Sequence, residues 1–349
     1  MQWLEDVLRR GWTSHRPAVV ADGRTLSYAE LLSAAAALAA DLTETVSHHQ
    51  LRALIVAGNS PEHIVADLAT MIAGAATTAL SPDSSEIRHA AAGVDVVLCD
   101  ADGRQVVDLL ALDRPIRTVA VSENPGVERP ELPGDADDAR KVVVCSRGDR
   151  EFALPSAAID ELLRAVRLRA PTGVWRRYLV LTPLSSLTEQ TFVYLTLQHQ
   201  GTVHLAAPDT AQLADVSAAQ VTVSVAESLV KRHPELDGED LCRELFGGPT
   251  APYLVCFDPL APIDELTARG VPVHRGFAFG YPITLAAQGT SGHGVGEPLS
   301  HVWLKVADDG ELLVKSKSQL IIPWRSAGDG WLGLDVRGTV DKAGRLHLG

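Results

Sequence analysis

The sequence predicts an α/β fold with two stacked, helix-covered sheets, mixed or mainly parallel, followed by a small β-subdomain. Three observations carry this expectation. Helical and strand periods alternate through the first hundred residues, and the alternation returns between about residues 156 and 206. From about Gly289 the helical period gives way to short strands with glycine-rich turns. The expected subdomains are 1–145, 146–288 and 289–349.

The elements follow in order. Ala18–Ala21 is a short apolar strand, and Asp22-Gly23 is a turn pair. Ser27-Tyr-Ala-Glu30 has the spacing of a capping box, in which Ser and Glu satisfy each other's backbone N–H groups. A helix runs from there to about Leu42, with Leu31, Leu32, Ala35, Leu38, Ala39 and Leu42 on one face. Ala53–Ala57 reads as a buried strand. Ser60-Pro61 then provides an N-cap followed by proline at the first helical position, opening a helix over 61–73. Strand 77–80, helix 84–92 and strand 95–99 complete the first alternation. Residues 122–140 carry three prolines, two glycines and a run of acids, the composition of a solvated linker. Beyond it come strand KVVVC, helix 156–169, strand 178–181, a second capping-box pattern at Ser186–Glu189, helix 187–199 and strand 202–206. HVWLKV, ELLVKS, GWLGLD and RLHLG are the strands of the tail.

Composition excludes several classes of function. The 349 residues are 46% hydrophobic, enough for a substantial core, and carry a formal net charge of −13. Forty-four acids against 31 bases oppose a general nucleic-acid or anionic-membrane surface, so neither partner is expected. The four cysteines, Cys99, Cys145, Cys242 and Cys256, form no C-x-x-C pair, and the twelve histidines show no H-E-x-x-H spacing; no metal site is expected. No apolar run reaches about 18 residues and no cleavage-like leader is present, which points to a cytoplasmic protein. Serine-hydrolase chemistry lacks its G-x-S-x-G elbow.

Several stretches resemble the N-terminal region of the adenylate-forming superfamily: acyl-CoA synthetases, nonribosomal-peptide adenylation domains and luciferases. AVVADGRTLSYAEL is similar to its opening segment. AGNSPEHIVADLATMIAGAATTALSP is similar to its N-S-P-E segment, which ends in A-G-A and a proline. Gly247-Gly248-Pro249, Gly296-Glu-Pro-Leu299 and Asp309-Gly-Glu-Leu-Leu313 follow in the family's order. The resemblance implies a body that joins a carboxylate to AMP using ATP and magnesium, then passes the acyl group to a thiol.

The motifs that perform this chemistry depart from the pattern. The phosphate loop of the family reads close to T-S-G-T-T-G-x-P-K-G, whose small residues let backbone N–H groups approach the triphosphate. Here residues 146–155 read Ser-Arg-Gly-Asp-Arg-Glu-Phe-Ala-Leu-Pro, and only Ser146 and Gly148 survive. Asp149 and Glu151 bring negative charge, while Arg147 and Arg150 either bind an anion or form an ordinary charged turn. The Y-G-x-T-E motif falls on Phe277-Ala278-Phe279-Gly280-Tyr281, without the magnesium-holding Glu. Phe277, Phe279 and Tyr281, with Gly247 and Gly248, line a nucleotide or acyl pocket or simply pack. The ribose-binding Asp corresponds to Asp335 or, in another register, Asp329, each otherwise a solvated turn residue. Where the family has His before the acyl-pocket helix this sequence has Ser186, and Phe192 and Tyr194 on that helix wall a pocket or fill the core. The chain stops at Gly349, where the family has the hinge to a mobile domain bearing the adenylation lysine.

The resulting expectation is a truncated, degenerate adenylation-like protein. It would lack ATP-dependent ligation and bind an acyl or aryl group, a thioester-bearing carrier protein or a partner enzyme. Arg164, Arg167, Arg169, Arg176 and Arg177 form a local basic stretch that either docks an acidic carrier or is a solvated face. The rival is an AMP-forming acyl-CoA or acyl-carrier ligase using ATP, AMP and magnesium with its C-terminal domain supplied in trans. A third reading is nucleotide-independent acyl transfer at a cleft residue such as Cys256 or Tyr281; for Cys145 and Cys256 the alternative is a buried structural thiol.

Overall fold

The computed structural model describes the chain except for residues 22, 45–49, 122–127, 134–138, 145–150, 207–215, 258–262, 279–283, 287–294, 297, 317–319, 322–330, 343–345 and 349. Two compact units emerge, and each is assembled from separated stretches of chain. The first comprises Met1–Asp160, Pro183–Leu205 and Gln319–Ile322; the second comprises Glu161–Thr182, Ala206–Ser318 and Pro323–Gly349.

The first unit is built on a seven-stranded sheet, in the order Leu320–Ile321, Glu151–Pro155, Ala139–Val144, Ala76–Leu80, Arg52–Val56, Val96–Cys99, Ile116–Thr118. The strands from Ala139–Val144 to Ile116–Thr118 run parallel, and the two at the other edge pair antiparallel. The central strands are buried along almost their whole length, as parallel strands covered on both faces must be. A smaller ladder in the same unit joins Pro17–Ala21 antiparallel to Arg24–Ser27 and parallel to Thr202–Leu205.

Helix starts follow the sequence signals where a side chain reaches the first turn. Ser27 caps the helix Tyr28–Thr43 in a complete capping box with Glu30. Ser60 caps Pro61–Ile72 by accepting from the His63 amide, with proline at the start of the helix. The box expected at Ser186–Glu189 does not form: the Ser186 hydroxyl pairs with Thr188 Oγ1 at 2.8 Å and caps no backbone amide. The helix Leu187–Gln198 begins there nonetheless. The linker also ends earlier than its composition predicts. Ala139 and Arg140 open a strand, and Arg140 is buried because its guanidinium donates to the Gly74 carbonyl at 2.8 Å.

Helix Pro61–Ile72 is buried from His63 through Ile72. A helix enclosed on all sides must carry any polar residue of its sequence into the interior, and this one carries His63 and Asp67. The helix Gln2–Gly11 packs against Tyr28–Thr43 and Leu187–Gln198. Its first amides, of Gln2 and Trp3, donate to the Asp160 carboxylate at 2.9 and 3.1 Å.

The second unit has four parallel strands, Arg177–Val180, Ala218–Gln220, Tyr253–Cys256 and Val273–Ala278, with Thr284–Ala286 antiparallel at the edge. Helices Val223–Arg232, Gly238–Phe246 and Ile263–Ala268 bury Val225, Leu229, Leu241, Leu245, Phe246 and Leu266 in its core. The tail expected to be β-structure is a five-stranded antiparallel sheet, in the order Val295–Gly296, Leu346–Leu348, Leu332–Val340, Glu311–Ser316, Val302–Val306. No helix among the described residues is long and apolar enough to cross a membrane.

Candidate functional site

In the first unit a cavity of about 220 Å³ lies between strands Ala76–Leu80 and Ala139–Val144 and the start of helix Leu187–Gln198. Its lining mixes Thr77, Lys141, Ser185, Ser186 and Gln190 with Ala79, Leu80, Val142, Pro183 and Leu187. Parallel sheets place their binding crevices beside strand ends, where connecting segments diverge.

The wall of this cavity is anchored by the N-S-P segment. Asp100 caps the helix Ala101–Leu110 by accepting from the Gly103 amide at 2.8 Å. Its other oxygen accepts from the Gly58 amide and the Ser60 hydroxyl, each at 2.9 Å. The turn thus fixed presents Asn59 Oδ1 to the Leu184 amide at 2.8 Å, and the Leu184 carbonyl in turn accepts from Gln190 Nε2 at 2.8 Å. One carboxylate therefore sets the position of the 183–186 segment through two strand ends.

Behind the cavity lies a buried polar cluster. Lys141 Nζ donates to one oxygen of Asp67 and Tyr194 OH donates to the other. The Tyr194 hydroxyl also lies 3.2 Å from Gln190 Oε1, and its ring stacks on Trp3 with centroids 4.4 Å apart. Lys141 Nζ sits 5.6 Å from the Tyr194 ring centroid. The side chains of Lys141 and Asp67 are each only 4% exposed, so this ion pair is desolvated. Burial lowers the Lys141 ammonium from its ordinary value, opposed by the Asp67 charge, and burial raises the Tyr194 phenol.

His63 stands one turn before Asp67 on the same helix. Its Nδ1 lies 3.0 Å from the Gly58 carbonyl, and because a carbonyl only accepts, Nδ1 carries the proton. Nε2 is then a buried acceptor with no partner among the described residues. Burial holds the imidazole below its ordinary value. Thr77 Oγ1 is likewise buried and without a partner among the described residues.

The residues singled out from sequence fall in different places. Ser186 lines the cavity, while Phe192 and Tyr194 are buried at 2% exposure, Tyr194 as a member of the polar cluster. Ser146, Arg147, Gly148 and Arg150 lie outside the described residues, as do Phe279, Gly280, Tyr281 and Asp329. The flanking structure still corrects the extent of the phosphate-loop segment: residues 151–155 form a strand paired antiparallel with 139–144, leaving six residues to connect the two.

Phe277 sits in strand Val273–Ala278, opposite Leu285. Asp335 falls within strand Leu332–Val340 rather than in a turn, because the strand runs on through it for nine residues in all. Gly247 closes helix Gly238–Phe246 at φ +73°, a conformation that explains a glycine there without a ligand, and Gly248 follows it. Cys256 is fully buried in the second unit's core, which argues against a presented thiol; Cys145 is outside the described residues. Beside Cys256 on the same strand, the Tyr253 ring lies 4.6 Å from His274, and burial pushes the Tyr253 phenol up to about 12.

Arg164, Arg167, Arg176 and Arg177 are exposed on the second unit. Arg164 is paired with Glu161, and Arg169 is half-buried with its guanidinium 3.3 Å from the Pro298 carbonyl. No cluster of His, Cys, Asp or Glu able to hold a metal occurs among the described residues.

Lys141, Asp67, Thr77, His63 and Gln190 escaped the sequence reading. The signal was present in two of them: Asp67 is the one acid inside IVADLATMIAGA, and Lys141 is the one charge in KVVVC. Nothing local to the sequence shows that they meet.

Residues 9–161 match the AMP-binding enzyme family. No curated protein matches the chain in sequence. Among solved structures, unliganded O-succinylbenzoate coenzyme A synthetase, MenE, from Bacillus subtilis is 18% identical with a TM-score of 0.77, covering 99% of this chain and 81% of that one. The amide bond synthetase McbA from Marinactinospora thermotolerans is 20% identical with a TM-score of 0.78, covering 99% and 78%. The nonribosomal peptide synthetase FmoA3 in its AMPPNP-bound form is 19% identical with a TM-score of 0.80, covering 99% of this chain and 42% of that one.

Proposed function

We propose that the chain, whose residues 9–161 match the AMP-binding enzyme family and whose fold is that of MenE and FmoA3, uses this body for binding and does not itself form an acyl-adenylate. Its ligand would be an acyl or aryl group, carried as a thioester on a carrier protein or presented by a partner enzyme. The observation that carries this reading is the chemistry of the phosphate-loop segment. Strands Ala139–Val144 and Glu151–Pro155 are joined by residues 145–150, Cys-Ser-Arg-Gly-Asp-Arg, in the region where the family's motif carries small residues and a lysine. A triphosphate needs several converging N–H groups and a cation, and this connection has no lysine, one glycine and an aspartate. The exchange of Thr-Glu for Gly280-Tyr281 supports the same reading by removing the magnesium carboxylate.

The test is calorimetric titration with ATP and magnesium, together with carboxylate-dependent pyrophosphate exchange. Neither signal is expected over a panel of acyl and aryl acids. Exchange by the chain alone would overturn the proposal. Exchange that appears only on mixing with a lysine-bearing C-terminal domain would also overturn it, in favour of a ligase completed in trans. That reading draws on the likeness to ligase structures along 99% of the chain.

A further inference from the structure

We infer that a cleft on the first unit binds a small zwitterion, its oxyanion held by Arg88 and Arg114 and its ammonium by Asp113. The cleft has a volume of about 300 Å³ and lies where helices Ile87–Ala91 and Ala101–Leu110 end, beside the segment that leads into strand Ile116–Thr118. It shares no residue with the cavity beside Lys141 or with the adenylate-forming motifs. The inference therefore stands whether or not the chain forms an acyl-adenylate.

Both arginines are anchored, and neither is neutralised. Arg114 Nη2 donates to the Ala92 carbonyl at 2.8 Å and Arg88 Nη2 to the Leu110 carbonyl at 3.4 Å, so each guanidinium is tied to the end of the opposite helix. Each bond uses one of five N–H donors and leaves the rest of a planar fork that matches an oxyanion. Among the described residues no carboxylate lies within ion-pair distance of either arginine. Elsewhere in the chain Arg9, Arg104, Arg164 and Arg243 each pair with an acid three or four positions away on their own helix. Asp113 lines the same cleft, and it too has no hydrogen bond or ion pair among the described residues. The chain reaches Asp113 through Ala111 at φ +48°, a left-handed conformation that alanine adopts only at a cost. The carbonyl anchors thus keep opposite charges apart within one cleft, and a ligand carrying both charges completes the arrangement with little reorganisation.

Three properties select a zwitterion over a simple anion. The chain carries a net charge of −13, whose field repels free anions but not a ligand of zero net charge. Asp113 opposes a second negative charge in the cleft and accepts hydrogen bonds from an ammonium. The remaining walls, Ala91, Ala92, Leu110 and Leu112 among them, are apolar. An apolar cavity of about 150 Å³ accepts benzene, so about 300 Å³ takes a branched aliphatic body with two charged ends. The oxyanion is a carboxylate or a phosphoryl group, since both match the guanidinium fork.

The experiment titrates the full chain with L-leucine, phosphoethanolamine, 4-methylpentanoate and 3-methylbutylamine, without nucleotide, by calorimetry and ligand-observed NMR. Saturable binding of at least one zwitterion is expected, and the tighter of the two identifies the oxyanion. The two singly charged compounds keep the apolar body of leucine and bind at least about fivefold more weakly. Arg88→Met weakens the zwitterion about fivefold. Asp113→Asn weakens it by a similar factor but tightens 4-methylpentanoate, because the carboxylate that repels an anion is gone. Both side chains are exposed, so neither change lowers the melting temperature. Thr77→Val, in the cavity beside Lys141, leaves the affinity unchanged. The absence of saturable binding by both zwitterions overturns the inference. So does a singly charged compound that binds as tightly, wild-type affinity in Arg88→Met or Asp113→Asn, or a loss of affinity in Thr77→Val.

Discussion

Replacing Lys141 by methionine is the sharpest test of how the first unit is held together. The substitution preserves length and apolar volume while removing the charge that faces Asp67. Both side chains are 4% exposed, so the carboxylate left behind is largely shut off from water, and its remaining side-chain donor among the described residues is the Tyr194 hydroxyl. Breaking a buried pair from one side costs about 3–5 kcal/mol. The Lys141→Met penalty, read from urea unfolding midpoints at pH 7, should therefore be about 3–5 kcal/mol. Adding Asp67→Leu should restore most of the loss, since an apolar pair of similar volume replaces a desolvated ion pair at little or no cost. A penalty below about 1 kcal/mol would show that the pair is solvated and would refute the reasoning.

Three further outcomes can be measured with the same unfolding assay. Gly103→Ala should cost about 3 kcal/mol or more, because its Cβ would stand 1.8 Å from the Val56 carbonyl oxygen, a backbone atom that cannot swing aside; a loss within about 0.5 kcal/mol would contradict the close approach of helix and strand. Ser27→Ala removes the cap of helix Tyr28–Thr43 and should cost about 1 kcal/mol. Glu30 is held below the usual carboxylate range by its hydrogen bonds to Ser27, so this contribution is present above about pH 4.3 and is lost as pH falls through the lower folded value; Ser27→Ala should flatten that acid limb. For His63 burial lowers the folded value, so below about pH 6.5 the unfolded chain takes up a proton that the folded one refuses. Stability should fall between pH 7.5 and 5.5 and lose that slope in His63→Gln; an unchanged slope would place the titrating group elsewhere.

The alternation of the first hundred residues was legible because the signals are local. The Ser27–Glu30 box, the Ser60-Pro61 start and the apolar strands each depend on neighbours within four residues, and each appears where the sequence places it. The Ser186–Glu189 pattern carries the same local signal but fails, since the Ser186 hydroxyl finds Thr188 instead. Arg140 was read with an acidic linker because composition cannot show that the Gly74 carbonyl waits for it 66 residues earlier in the chain. Asp335 was read with a turn because a single aspartate carries too little information to outweigh a strand pairing on either side.

What the sequence by itself determined was the class of fold and the α/β alternation of its elements. Both are properties of short stretches, in which periodicity, capping and turn chemistry act between near neighbours. What only the tertiary structure decided was which residues share an interior. Asp67 and Lys141 are 74 positions apart and Asp67 and Tyr194 are 127 apart, yet they meet behind one cavity. Their pairing follows from enclosure. Asp67, on a helix buried from His63 onward, and Lys141, on a strand of a covered sheet, have side chains each 4% exposed, so the two opposite charges are stabilised by finding each other.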